Sequence, residues 1–123
     1  MKEIDWSKLS FGYMKTDYNV RCYYRDWKWG ELELCSEETL NIHMAATCLH
    51  YGQEAFEGLK AYHGKDGKIR IFRPEANAER LQSTCRGILM PELANEKFCE
   101  AVKKVVKANE RFIPPYESDA CVY

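Results

Sequence analysis

A short break, Gly64-Lys65-Asp66-Gly67, separates two apolar-containing runs, Leu59–His63 and Lys68–Phe72. Asp-Gly supplies the left-handed backbone that tight turns need, so the two runs read as an antiparallel hairpin. A glycine-lysine loop can also cradle phosphate. Here no helix follows Lys68 directly, and the P-loop spacing is missing. Pro74 comes just after the second run and suits the first turn of a helix, with Glu75 well placed for the helix dipole. Leu81, Thr84, Cys85, Ile88 and Leu89 then recur at helical spacing, and Gly87 or Met90-Pro91 ends the helix. Asn95 is expected to cap a second helix whose apolar face carries Phe98, Val102, Val105, Val106 and Asn109. Lys103, Lys104 and Lys107 read as its solvated face.

Upstream the pattern is less regular. Residues 1–17 form an irregular lead-in, with Trp6, Leu9, Phe11 and Tyr13 as expected anchors. Tyr18 to Tyr24 alternates with period two, which predicts a strand. Asp26–Gly30 reads as a turn carrying Trp27 and Trp29, and Glu31–Leu34 as an edge strand. Ser36–Thr39 has the form of a helix cap, but Thr39–Ile42 alternates, and a strand is expected there. Cys48–Phe56 predicts a short helix closed by Gly58. Ala120–Tyr123 starts a further apolar strand in which the sequence stops, so residues 1–123 are expected to be one domain of a longer protein. The elements sum to an α+β fold: an antiparallel sheet with two longer helices packed on one face.

Composition narrows the function. The formal net charge is −1, which argues against nucleic acid or an anionic membrane as partner. No apolar run approaches the roughly 20 residues of a membrane span. The polar start MKEIDWSKLS lacks the apolar middle of a signal peptide, which favours the cytoplasm. The six cysteines form no C-x-x-C pair, and His43, His50 and His63 supply no zinc spacing, so no metal site is expected. The cysteines read as small, buried or half-buried apolar residues.

Three side chains between Leu49 and Arg80 are candidates for ligand contact. Tyr51 and Phe56 offer aromatic walls, and Arg80 a permanent cation able to grip phosphate with two nitrogens. Asn77 and Arg80 are three apart, on one helical face. The residues alone leave simpler roles open. Arg80 would then be a surface arginine paired with Glu75 or Glu79, and the aromatics would be packing groups. His50 has no partner carboxylate placed for general base work, and Glu54 and Glu57 make no persuasive acid–base pair.

The motifs Phe11-Gly12, Leu49-His50-Tyr51-Gly52, Phe56-Glu57-Gly58-Leu59-Lys60-Ala61-Tyr62, Phe72-Arg73-Pro74 and Asn77-x-x-Arg80 occur here in order. Together they resemble the N-terminal domain of branched-chain amino-acid aminotransferases, fold-type IV enzymes that use pyridoxal phosphate. The resemblance runs from Phe11 to Tyr123. It implies that Arg80 contacts the cofactor phosphate. It also implies that Phe11, Tyr51, Phe56 and Tyr123 line the pocket for the branched side chain, Tyr51 from across a homodimer. Where the family usually reads Ala-Ser-Leu-Tyr, this chain has Ala120-Cys121-Val122-Tyr123.

The implied reaction passes the amino group of leucine, isoleucine or valine to 2-oxoglutarate. It needs a lysine that attaches the cofactor and moves the proton, and an acid partner for the ring nitrogen. In the family both come from a larger C-terminal domain. No lysine here falls in a matching motif, so no catalytic residue is assigned, and the chain alone is expected to be inactive without stable cofactor binding. Related readings are a D-amino-acid transaminase, an aminodeoxychorismate lyase, or a non-catalytic binding or dimerisation module. The long lead-in with Phe11-Gly12 and the Phe56-Glu57-Gly58 step favour the branched-chain group.

Overall fold

The computed structural model of the chain describes residues 4–6, 12–118 and 121–122. The fold is mixed α and β as expected, with two longer helices, and among the described residues the antiparallel pairing is divided into three two-stranded ribbons. The alternation across Tyr18–Tyr24 is divided between β1 (Asn19–Arg21) and β2 (Tyr24–Arg25). β3 is Lys28–Trp29, and β4 is Glu33–Cys35. β2 and β3 make a tight inner hairpin, while β1 pairs outside it with β4, Val20 opposite Leu34. The inner turn holds Asp26 at φ 50° and Trp27 at φ 63°. Two consecutive left-handed residues match the right-handed twist of the flanking strands. Trp29 therefore belongs to a strand and not to the turn, and its ring meets Tyr24 edge-on at 5.2 Å.

The expected strand over Thr39–Ile42 does not form, and residues 36–43 are irregular. Their carbonyls are engaged by side chains instead of a neighbouring strand. Asn19 Nδ2 donates to the Glu37 carbonyl at 2.8 Å, and Arg21 Nη2 donates to that of Thr39 at 3.1 Å. The next helix is also shorter than the pattern suggests: α1 spans Thr47–His50. It closes at Gly52, which takes φ 61°, and not at Gly58. Tyr51 N–H ends it by donating to the Thr47 carbonyl at 2.8 Å.

The hairpin forms as expected, from β5 (Ala61–His63) and β6 (Ile69–Ile71), with Tyr62 opposite Arg70. Gly67 supplies φ 75° in its turn. Asp66 accepts two guanidinium bonds from Arg70, at 2.6 and 2.8 Å. Val122 bridges to Ala61 on the other edge of β5, Ala61 N–H donating to its carbonyl at 3.0 Å.

α2 (Pro74–Gly87) begins with its proline in the first turn, and α3 (Asn95–Ala108) follows. The cap position of α3 is Ala94. Asn95 is the first helical residue, and its Oδ1 is buried with no hydrogen-bond partner among the described residues. Leu89 lies beyond α2, exposed and at φ 57°.

The core lies between the helices. Ala78, Phe98 and Cys99 are buried together, with Leu59, Leu81, Leu93 and Val102 packed against them. Cys85 and Cys99 are buried, and all six cysteines are free thiols. Burial pushes both buried thiols above their ordinary pKa. At the end of α3, buried Asn109 accepts from Tyr18 N–H at 3.0 Å and donates to the Tyr18 carbonyl at 2.8 Å. Its amide thus stands in for a strand partner and ties the lead-in to the helix. Lys104 is more than a solvated charge, since its Nζ donates to the Leu32 carbonyl at 2.7 Å. Of the lead-in anchors, Trp6 is half-buried, whereas Tyr13 is exposed and held by its hydroxyl, which donates to Glu38 at 2.7 Å. Leu9 and Phe11 lie outside the described residues.

Candidate functional site

Arg80 stands on α2, one helical turn beyond Asn77, and both reach the loop between α1 and β5. Arg80 Nε donates to Glu57 Oε1 at 2.6 Å, and its Nη2 to Glu57 Oε2 at 2.7 Å. Asn77 Nδ2 donates to Glu57 Oε2 and to the Gly58 carbonyl, both at 2.9 Å. The partner of Arg80 is thus Glu57, not Glu75 or Glu79. The guanidinium is engaged along one edge, and its Nη1 has no hydrogen-bond partner among the described residues.

The two halves of this pair are unlike. The Glu57 side chain is 7% exposed, while that of Arg80 is 67% exposed. Arg80 and then Asn77 hold the Glu57 carboxyl below its ordinary pKa, against burial that pushes it up. A buried carboxylate needs such donors to remain ionised. The exposed guanidinium presents its unused nitrogen to solvent, where an anion could meet it. This arrangement suits an oxyanion such as phosphate, which takes donors from a planar fork.

The other expected site residues lie as follows. Tyr51 caps α1 and is 84% exposed, and Phe56 immediately precedes Glu57 and is 83% exposed. Phe56 therefore lies next in sequence to the group that grips Arg80; among the described residues no hydrogen bond or ring contact joins Tyr51 to that group. Phe11 and Tyr123 lie outside the described residues. His50 Nε2 donates to the Met44 carbonyl at 2.6 Å, a structural role that agrees with its lack of a carboxylate partner. Gln53 fixes the start of the loop by donating to the Ile88 carbonyl at 2.8 Å.

Two hollows lie elsewhere. One of about 740 Å³ is lined by residues that include Ile69, Arg73, Val102 and Lys103, and one of about 380 Å³ by residues that include Tyr18, Arg21 and Leu40. Neither includes Tyr51, Phe56 or Arg80, and all three of these side chains are exposed. Glu57 was the group that residue-level reasoning missed. Local spacing pairs it with Glu54, whereas its partner stands 23 residues further along the chain. Its place in the Phe56-Glu57-Gly58 step, facing the Asn77-x-x-Arg80 pair, was the available signal.

Similarity to known proteins bears on the class first: the chain is similar over its full length to aminotransferases. The branched-chain-amino-acid aminotransferase of Haemophilus influenzae is 52% identical over 123 residues, which is 100% of this chain and 36% of that protein. That of Helicobacter pylori is 43% identical, again over 100% of this chain and 36% of the relative. Branched-chain-amino-acid aminotransferase 5, chloroplastic, of Arabidopsis thaliana is 45% identical over 94% of this chain and 28% of its own length. The resemblance read from the motifs therefore holds from end to end of the chain, which covers the N-terminal part of such relatives. The chain spans 36% of the length of the first two relatives. No family model matches it. No helix among the described residues is long and apolar enough to cross a membrane.

Proposed function

We propose that this chain is the N-terminal domain of a longer branched-chain-amino-acid aminotransferase that uses pyridoxal 5'-phosphate and works as a homodimer. The observation that carries this reading is identity of 52% along the whole chain to an enzyme of that name. The geometry around Arg80 supports it. The guanidinium is fixed on one edge, open on the other and accessible, which fits a phosphate group.

Arg80 would hold the phosphate, and Tyr51 and Phe56, with Phe11 and Tyr123, would wall the space for a branched side chain. Bound there, pyridoxal phosphate supplies the electron sink through which an amino group passes from leucine, isoleucine or valine to a 2-oxo acid. The attaching lysine and the ring-nitrogen partner are expected from a further domain. This chain contributes binding and orientation, and on its own is expected to be inactive.

The test uses the full-length protein, assayed with L-leucine and 2-oxoglutarate, and its apo form titrated with pyridoxal phosphate. A charge-assisted bond to phosphate contributes about 1.5–3 kcal/mol, so Arg80→Ala should weaken cofactor affinity by roughly ten- to a hundredfold. Arg80→Lys should recover part of this, because it keeps the charge and loses the planar fork. Equal dissociation constants for wild type and Arg80→Ala would return Arg80 to the surface. A preference for D-alanine would move the enzyme to another branch of the same fold type.

A further inference from the structure

We propose that Glu57 is a positioning residue for the phosphate site, acting through Arg80 and itself held by Asn77. The inference rests on the reading of Arg80 given above. A long, exposed arginine samples many rotamers, and a phosphate that captures it must first order it. Here the ordering is done in advance. Glu57 takes Nε and Nη2 of Arg80, at 2.6 and 2.7 Å, which fixes both the direction and the plane of the guanidinium. What remains, the Nη1 side, faces away from the carboxylate.

Glu57 cannot do this from a free loop, and two features hold it. Its side chain is 7% exposed. Asn77, one turn before Arg80 on the same helix, bonds both its Oε2 and the neighbouring Gly58 carbonyl at 2.9 Å. The result is a closed circuit: α2 carries Asn77, Asn77 holds Glu57, Glu57 holds Arg80, and Arg80 returns to α2. The spacing of Asn77 and Arg80 has a physical reason in this circuit, since both must face one carboxylate.

A carboxylate beside a phosphate site also repels the phosphate, so the two effects of Glu57 have opposite signs. Positioning predicts that removing Glu57 weakens the cofactor; repulsion predicts that it tightens. In the full-length apoenzyme, pyridoxal phosphate is titrated against pyridoxal, which keeps the ring and aldehyde and lacks the phosphate. Glu57→Ala should weaken pyridoxal phosphate by about two- to tenfold, the scale of ordering one long side chain on binding. Pyridoxal should bind unchanged. Glu57→Gln, which keeps one acceptor oxygen and the shape, should fall between wild type and alanine. Adding Glu57→Ala to Arg80→Ala should change nothing further, because a residue that acts through another is silent once that other is gone.

Tighter or equal binding of pyridoxal phosphate by both Glu57 variants would overturn the proposal, as would equal weakening of pyridoxal phosphate and pyridoxal. If Arg80→Ala weakens the cofactor and the Glu57 variants do not, Glu57 loses its role while Arg80 keeps its own. If Arg80→Ala is itself without effect, the reading of the site fails first.

Discussion

The helices α2 and α3 and the segment 36–60 are held in place in different ways. The helical pair is stabilised by its own apolar faces: Ala78, Cys85, Phe98 and Cys99 are all buried. In the segment 36–60, Leu40, Ile42, Met44, Leu49, Tyr51 and Phe56 are all exposed. Apart from Leu59, which packs on the helical core, polar tethers hold it, several of them thrown from outside. Asn19 and Arg21 take its carbonyls near one end, Gln53 reaches the end of α2, and Asn77 and Arg80 grip Glu57 and Gly58 near the other. A region fixed in this way can be shaped without consuming its aromatic side chains in packing. Those side chains remain free to meet something else, which is what a substrate wall requires.

The largest expected effect lies in the helical pair. Phe98 is 9% exposed at the centre of the core. Phe98→Ala should cost about 3–5 kcal/mol, from lost apolar burial and an unfilled cavity. For a domain at the low end of ordinary stability, roughly 5–15 kcal/mol, such a variant stands close to unfolding. Urea unfolding of the chain followed by circular dichroism reads this directly. A loss under about 1 kcal/mol, within the range of ordinary single substitutions, would mean that the helices are not the stabilising half.

This division also explains what could be read from the residues. The hairpin at Asp66-Gly67 and both helices were legible, because turn chemistry and a helical period are local signals. The segment 36–60 was not. The alternation at Thr39–Ile42 resembles a strand, yet Arg21 takes the Thr39 carbonyl and Asn19 that of Glu37 just before it, so the stretch is tethered by side chains at its start. The helix starting near Cys48 ends before its pattern does, because Gly52 and Gly58 are equally plausible stops in sequence and, of the two, only Gly52 takes positive φ. Arg80 was legible as a cation on a helix face. Its partner was not, because an ion pair between a loop and a helix leaves no period in either.

Glu57 joins the two regions, and acid should loosen that joint by a smaller amount. Its carboxyl pKa is depressed in the folded chain, chiefly by Arg80. The stabilisation is therefore complete above the unfolded value of about 4.3. It is lost as pH falls through the lower folded value. Because Arg80 is largely exposed, solvent screens the pair, and the effect is expected at about 0.2–1 kcal/mol. Other carboxylates titrate in the same range, so the measurement is the difference in stability between wild type and Glu57→Gln. That difference should be constant near neutrality and change below about pH 4. A difference independent of pH down to the acid limit would mean that the ion pair does not tether the segment.

The smallest expected effect is the one that most directly tests the contrast. Tyr51 and Phe56 are 84% and 83% exposed, so the folded chain gains little from either ring. Tyr51→Ala and Phe56→Ala should each change unfolding free energy by no more than about 0.5 kcal/mol, the range of surface substitutions. Phe98→Ala removes a ring of the same type as Phe56→Ala, so the difference between those two variants isolates burial. If Phe56→Ala is as costly as Phe98→Ala, the segment 36–60 contains a core of its own and the contrast fails. If it is silent in unfolding, the same variants in the full-length enzyme decide what the rings are for. As substrate walls, their loss should raise the Michaelis constant for leucine and leave the affinity for pyridoxal phosphate nearly intact, because a wall for an apolar side chain supplies no charge to a phosphate. An unchanged Michaelis constant in both variants would remove them from the substrate side of the site.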